Sequence, residues 1–364
     1  MEDSPDSKSG WPLQRTLSLW FCGIAALSCL AVGSLTYYLR AQGIRDFLLS
    51  ELATVRDDKI ADIRHWFRER RQAVQIWGDN PGIVRLVEQH VTGQPIEDRE
   101  LRQQQLDSLR QAYNCHAIGI FDARTGVSIL ASSGPYSHDV LDPDILRLVL
   151  EARGVIHTDV RICPTHQVPT VVFAGPVRPI DAEGKIPAVI AFHMDLEQFF
   201  YPEVLKTSLF GEHGEIVLVN RDGVAQSPLR HVENAEGRHT LSTEAARLAA
   251  VGQTGGVVSE DYYGNRVVAA HGFIPEAGWG IVTLKDYQEA TRVTREMTRQ
   301  VVFTSLGVLV LSSLLALFVS ARIAGPAQNI AAVTDSIRQG QLDLRAKLRG
   351  PQEIRTVAHN FNSM

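Results

Sequence analysis

His116 to Gly134 reads HAIGIFDARTGVSILASSG, and this stretch decides the fold. Two short runs of β-favouring residues flank Asp122–Gly126, which has the composition of a hairpin turn. The same order of strand, turn and strand returns in GEIVLVNRDGVAQSP, residues 214–228, around the Asp222-Gly223 pair. The repetition predicts two antiparallel sheets of similar construction in one chain.

Helical and strand-like segments follow one another in an order that is typical of an α+β fold. A long amphipathic helix is predicted before the first hairpin, because apolar residues from Phe47 to Trp77 recur at three- and four-residue steps until a breaker cluster at 78–82. Further helices are predicted over 96–113, 142–151 and 195–209. Strands are predicted over 155–163, 168–177 and 186–194 in the first sheet, and within 255–275 and 278–286 in the second.

Two long runs, residues 16–39 and 301–321, contain no Asp, Glu, Lys, Arg or His. Each is long enough for a helix to cross a bilayer, which takes about 20 residues. A cleaved signal peptide is the alternative for the first run, but such peptides have an apolar core of only about 7–15 residues. A buried core helix is the alternative for the second. We therefore expect two transmembrane helices with the lipid bilayer as their partner.

Charge predicts the orientation of these spans. Residues 322–364 hold six basic and three acidic side chains, and short basic flanks favour the cytoplasmic side. We expect a cytoplasmic N-terminus over 1–15, an extracytoplasmic segment over 40–300 and a cytoplasmic segment over 322–364.

Two short apolar seams follow the second run. One comprises Ile330, Val333 and Ile337, and the other comprises Ile354, Val357 and Phe361, followed by Met364. Steps of three and four residues are typical of coiled coils. Because one such seam cannot bury itself, we expect a parallel homodimer that forms a four-helix bundle.

Residues 46–286 resemble a double Cache sensor domain. The resemblance rests on residues 214–223, 260–264 and 278–280. It implies two stacked PAS-like lobes beside the long helix, a distal lobe at about 80–195 and a proximal lobe at about 196–286.

Residues 322–364 resemble a HAMP domain. This resemblance rests on Pro326, on Gly340 as the end of a first helix, on Glu353-Ile354 and on the closing residues 361–364. The family has an Asp where this chain has Gln352, so one carboxylate at the start of the second helix is missing.

Polar side chains alternate with apolar ones in the strand predicted over 155–163. His157, Asp159 and Arg161 share one face of it. The resemblance implies a ligand pocket between the distal sheet and the overlying loops, with Arg153 as a further contact. Arg161 would bind a carboxylate with its planar fork, and Asp159 would bind an ammonium group. A solvated sheet face is the alternative.

Other chemistry has less support in the sequence. A metal site of His157, Asp159, Cys163 and His166 has suitable residue types but no diagnostic spacing, so neither a metal nor a cofactor is predicted. The aromatic and arginine pattern of the amino-acid-binding double Cache domains is absent. Cys115 and Cys163 are expected to be two unpaired buried thiols, with a disulfide as the alternative. The 12 histidines are scattered along the sequence, which argues against a pH switch.

The residues predict a binding protein more than an enzyme. No catalytic motif is present in the 364 residues, and a formal net charge of −5 gives no support for nucleic-acid binding. We expect the input module of a receptor in the inner membrane of a bacterium, which binds a small ligand and signals through the second span and HAMP. The output is expected after residue 364. A histidine kinase is the first choice, and the alternatives are a diguanylate cyclase, a chemoreceptor, or a receptor that acts through a separate cytoplasmic partner.

Overall fold

The fold is taken from a computed structural model, which describes residues 13–134, 138–164, 166–178, 184–205, 214–290, 292–339, 341 and 344–363. The chain divides into two compact units. One is Arg45–Ala290, and the other combines Met1–Ile44 with Thr291–Met364.

A single helix, α1, runs from Leu13 to Gly78. It contains both the first apolar run and the predicted amphipathic helix, and it ends in the predicted breaker cluster. The Asn80 side chain accepts hydrogen bonds from the amides of Gly82 and Ile83, and so starts a second helix. This helix, α2 (Pro81–Val91), was not expected, whereas α3 (Arg99–Ala112) lies within the segment predicted as helical.

The apolar stripe of α1 is buried as its spacing indicates. Ile63, Phe67 and Val74 are each fully buried. The assignment of Phe47 to this stripe is wrong, because its side chain is 68% exposed. Trp66, one position from Phe67, is buried instead.

The first sheet has six strands in the order β2-β1-β6-β5-β3, with β4 also paired to β5. A helix, α4 (Pro143–Ala152), follows β2. All the pairings are antiparallel. The strands are β1 (Ala117–Asp122), β2 (Ser128–Ala131), β3 (Ile156–His157), β4 (Arg161–Ile162), β5 (Pro169–Val177) and β6 (Ala188–Asp195).

The two faces of this sheet have different neighbours. On one face, the ring of Phe173 contacts the rings of Trp66 and Phe67. On the other face, Val172, Ala174 and Val189 pack with Ile145 and Val149 of α4. We call these the α1 face and the α4 face.

A π-helical segment, Leu196–Leu205, leads towards the second sheet. The rest of the helix predicted over 195–209 lies outside the described residues. The second sheet has the order β7-β10-β9-β8. Its elements are β7 (Glu215–Val219), α5 (Glu244–Ala250), β8 (Gly255–Glu260), β9 (Arg266–Ile274) and β10 (Trp279–Asp286).

The second sheet lacks one predicted strand. Gly223 does form the expected turn, with a φ of +79°. After it, however, the chain makes only isolated bridges, such as Val219 with Ala225 and Val224 with Thr240. The repeat is therefore complete in the first sheet and partial in the second, because residues 224–228 pair with more than one segment.

The other unit is helical. Its helix α7 (Arg292–Arg338) contains the second apolar run, and a short helix, α6 (Tyr287–Ala290), precedes it at the end of the unit Arg45–Ala290. Within the described residues, one segment, Val302–Arg338, is long and apolar enough to cross a membrane, and Gly23–Leu35 is a shorter apolar stretch. Pro326 lies inside α7, so the helix continues through the proline. Gly340, which was expected to end that helix, lies outside the described residues.

The last helix, α8 (Gln352–Ser363), is tied to the connector that precedes it. The Asn362 amide donates to the carbonyl of Ala346 and accepts from its N–H, at 2.8 and 2.7 Å. Asn329 of α7 accepts from the N–H of Lys347. Five of the predicted seam residues are half-buried in the single chain, namely Ile330, Val333, Ile337, Ile354 and Phe361. Val357 is 53% exposed, and Met364 is not among the described residues.

Candidate ligand-binding site

The prediction of one continuous strand over 155–163 is wrong. Two separate pairs, β3 and β4, bond to β5, and residues 158–160 between them are not in a strand. His157 lies opposite Phe173, but Arg161 lies opposite Thr170, so the register slips by one residue. A one-residue slip moves side chains to the other face of a sheet. His157 therefore lies on the α1 face and Arg161 on the α4 face.

His157 is a packed side chain at the junction of the two lobes. Its ring meets the Phe67 ring edge-on at 5.0 Å. One ring nitrogen, Nδ1, lies 3.0 Å from an Arg71 guanidinium nitrogen, and Nε2 lies 3.1 Å from the carbonyl oxygen of Ala277. Burial, helped by Arg71, lowers the pKa of His157 despite the hydrogen bond to Ala277. A neutral imidazole that accepts from Arg71 and donates to Ala277 fits this position.

Asp159 connects the same segment to the second sheet. Its carboxylate accepts a hydrogen bond from the indole N–H of Trp279 at 2.9 Å and another from the Asn220 amide at 3.0 Å. Trp279 is fully buried at the start of β10. Next to Asp159, the N–H of Val160 donates to the Gln226 side chain at 2.7 Å. Residues 157–160 thus hold the two lobes together.

The two arginines lie at opposite ends of α4. Arg161 pairs with Asp142 at 3.0 Å, and both side chains are nearly half exposed. Asp142 also caps the first turn of α4. Arg153 follows the last turn of α4 in a left-handed conformation and is exposed. The structure therefore does not bring the four predicted residues to one place, and their role in ligand binding stays a prediction.

The α4 face holds a group of residues that the sequence analysis missed. His116, His138, His166 and His193 come together there, and we call them the histidine cluster. The His138 ring stacks on the His193 ring at 4.2 Å, and the His166 ring lies 5.1 Å from His116 and 5.4 Å from His138. The conclusion that the histidines are scattered is wrong in three dimensions, because strand pairing and two loops bring these four together.

Cys163 lies beside the histidine cluster. Its sulfur is 3.3 Å from His166 Nδ1 and 4.0 Å from His138 Nε2. Of the four residues considered for a metal site, Cys163 and His166 lie close together, and His138 lies beside them. His157 and Asp159 lie at the lobe junction instead.

Cys115 and Cys163 are unpaired, as expected. Both are buried and free. Cys115 contacts the Met194 sulfur at 3.5 Å. Burial raises the pKa of the Cys115 thiol to about 12, so this thiol stays protonated.

The charge state of the α4 face is set by burial. Burial lowers the pKa of His193 well below its ordinary value, and the nearby imidazoles of His138 and His116 lower it further. The pKa of His138 is lowered by burial and by His166. Asp195 lies 3.6 Å from His116 Nδ1. Burial opposes the ionisation of Asp195, but hydrogen bonds from His116 and from the amides of Glu197 and Gln198 lower its pKa overall.

Comparison with known proteins identifies the C-terminal part of the chain. Residues 318–364 match the HAMP domain family. The methyl-accepting chemotaxis protein McpC of Bacillus subtilis (strain 168) is 26% identical over 137 residues, which are 38% of this chain and 19% of that protein. The match thus spans about a fifth of that relative's length.

Solved structures also resemble the chain. The V. cholerae histidine kinase DctB sensor domain has a TM-score of 0.48 and 12% identity over 68% of this chain and 98% of its own. The ligand-binding domain of the Pseudomonas aeruginosa PAO1 chemoreceptor PctB, in complex with L-Gln, has a TM-score of 0.49 and 16% identity over 69% of this chain and 98% of its own. Independently of these likenesses, the structure has the predicted long helix and two antiparallel sheets, and residues 318–364 match HAMP.

The Asp159–Trp279 hydrogen bond generates a prediction about stability. Asp159→Ala and Trp279→Phe each remove one partner, so the two changes should be coupled by about 1–3 kcal/mol in the free energy of unfolding. Pulse proteolysis of the full chain in urea measures the four corners of this double-mutant cycle.

The exposed Asp222 provides the matched control. A cycle of Asp222→Ala with Trp279→Phe should show coupling near zero. If the Asp159 cycle also shows none, Asp159 does not hold the lobes together, and a free carboxylate awaiting a ligand becomes the better description.

Proposed function

We propose that the chain is the input half of a bacterial transmembrane receptor. The observation that carries this proposal is the continuity of α7, which starts next to the second sheet in sequence, contains the apolar segment and runs into the residues that match HAMP. A helix that joins a binding unit to a HAMP domain is suited to transmit a conformational change across a membrane.

The proposal includes two spans, residues 16–39 and 301–321, in the inner membrane, with residues 40–300 outside the cytoplasm. The apolar segment at 302–338 and the shorter stretch at 23–35 support the spans. The excess of basic residues after the second span supports the orientation. The lipid bilayer is then a partner of both helices.

A physical route for the signal follows from the lobe junction. The segment 157–160 bonds to Trp279, Trp279 starts β10, and β10 leads through α6 into α7. β10 is an inner strand, paired with both β7 and β9, so it moves as part of the whole sheet. A ligand drives such a change only if it binds two arrangements with different affinities.

The ligand is proposed to bind on the α4 face, with Arg161 at its rim. Arg161 pairs with an Asp142 carboxylate that is half exposed, so a ligand carboxylate can replace that partner. Arginine suits this role because its planar fork binds carboxylates with two parallel hydrogen bonds. Asp159, His157 and Arg153 remain proposed contacts from the sequence, although the first two already have partners at the lobe junction.

Two outputs are proposed. A histidine kinase is the first choice from the sequence, and the match to McpC favours a chemoreceptor as the second. A diguanylate cyclase and a receptor without its own enzyme remain alternatives. The gene beyond codon 364 discriminates among them, through a histidine-containing dimerisation helix, a Gly-Gly-Asp-Glu-Phe run, a long coiled coil or a stop codon.

The ligand proposal is tested by a thermal-shift screen on the full chain. A ligand found in the screen should bind Arg161→Ala about 10- to 100-fold more weakly, because a hydrogen bond to a charged group is worth about 1.5–3 kcal/mol. Arg147→Ala is the matched control, since Arg147 pairs with Asp144 on the exposed side of α4. Equal affinity for Arg161→Ala and the parent chain contradicts the proposed site.

The HAMP dimer is tested by cysteine crosslinking in membranes, in a chain with Cys22→Ala and Cys29→Ala. Val357 is 53% exposed in the single chain although it belongs to the apolar seam, so a partner helix should cover it. Val357→Cys should crosslink readily between two chains. Arg355→Cys, on the opposite side of α8, should not. Comparable crosslinking at both positions, or none at 357, argues against the bundle.

A further inference from the structure

We propose that Cys163, His138 and His166 form a binding site for a divalent metal ion of the zinc class on the α4 face. One ligand atom from each residue lies within 4.8 Å of the others. Cys163 is buried and the two histidines are half-buried, so the site is recessed and remains open to solvent. The inference rests on these local contacts alone and does not depend on the proposed receptor function.

The donor set selects the class of metal. One thiolate and two imidazoles suit Zn²⁺ and similar ions, whereas Mg²⁺ and Ca²⁺ prefer oxygen ligands. Three protein ligands leave a fourth tetrahedral position for water or a bound molecule, which is the arrangement of open zinc sites.

The distances are close to those of a tetrahedral site. Zn–S and Zn–N bonds of about 2.3 and 2.0–2.1 Å place neighbouring ligand atoms about 3.3–3.6 Å apart. The Cys163 sulfur lies 3.3 Å from His166 Nδ1 and 4.0 Å from His138 Nε2. Both histidines lie in loops rather than strands, so modest side-chain rotations complete the site.

A buried polar atom beside these ligands independently points to a missing group. His193 Nε2 is buried and has no hydrogen-bond partner among the described residues. The His193 side chain lies in β6 and its ring stacks on His138. Buried polar atoms are nearly always paired, because an unmade hydrogen bond costs about 1–3 kcal/mol. A metal ion next to His138, together with the water on its open position, supplies a polar partner at this place.

The surroundings fit a positive ion. Asp195 at the end of β6 lies 3.6 Å from His116 Nδ1, and the His116 ring contacts that of His166. The negative charge of Asp195 is thus two side-chain contacts away from His166, which favours a cation there. The Cys163 thiol also has no competing disulfide partner, because both it and Cys115 are free.

The site is tested on the full 364-residue chain, purified in detergent without a polyhistidine tag, reduced with a phosphine and freed of metal with a chelator. The probe is Co²⁺, because a thiolate ligand produces a sulfur-to-cobalt charge-transfer absorption and a tetrahedral site produces visible bands. We expect one equivalent of Co²⁺ to give both signals and Zn²⁺ to displace it.

Variants identify the ligands. Cys163→Ser should abolish the charge-transfer band. His138→Ala and His166→Ala should each weaken metal binding by at least about 10- to 100-fold. Loss of a residue that only supports a ligand typically has an effect of that size. Cys115→Ser is the matched thiol control, and His65→Ala, on the exposed side of α1, is the matched histidine control. Both controls should bind like the parent chain.

Folding is checked separately by the circular dichroism and the thermal midpoint of each metal-free variant. If Cys163→Ser fails to fold, Cys163→Ala and His166→Gln provide the same comparison. The proposal is overturned if the parent chain binds no Co²⁺ or Zn²⁺, if the charge-transfer band persists without Cys163, or if Cys115→Ser removes it. Any of these results overturns this inference and leaves the proposed function intact, because the two rest on different observations.

Discussion

The packing of one phenylalanine holds the two lobes on their common helix. Phe67 of α1 is fully buried, and its ring contacts Phe173 of the first sheet at 5.4 Å and Trp279 of the second at 5.0 Å. Each sheet has an apolar face that must be covered to be stable. The same ring thus covers part of both faces, and His157 and Asp159 bond across the same junction, so the two sheets meet α1 together at this turn.

Much of this arrangement was predictable from short-range patterns. The apolar spacing of α1, the breaker cluster at 78–82 and the hairpin turn at 122–126 are local features, and the structure has each of them where the sequence places it. The resemblance to HAMP also rests on short motifs, such as Pro326 and Glu353-Ile354, and residues 318–364 match that family. Such predictions failed at two places: Phe47 is exposed while its neighbour Leu48 is buried, and the segment after Gly223 forms isolated bridges with more than one partner.

The candidate site was harder to predict because it depends on register. A single extended strand over 155–163 places His157 and Arg161 on one face, and the one-residue slip places them on opposite faces. Between the two short strands, Asp159 and Val160 bond to Trp279 and Gln226, which are far away in sequence. The histidine cluster was hidden for a related reason, because its members come from β6, two loops and the start of β1. One signal was available: His193 alternates in step with Val189 and Ala191, so an inward imidazole could be read from the β6 pattern. The first sheet thus has its contacts with α1 on one face and the histidine cluster on the other.

Hydrogen–deuterium exchange of Phe67→Ala tests most directly whether both lobes depend on α1 at this point. Phe47→Ala is the control, since Phe47 lies on the same helix but is 68% exposed. We expect Phe67→Ala to lower the protection of backbone amides in β5 and β6 and also in β9 and β10, whereas Phe47→Ala should change neither sheet. Loss of protection in one sheet alone, or in neither, contradicts this expectation.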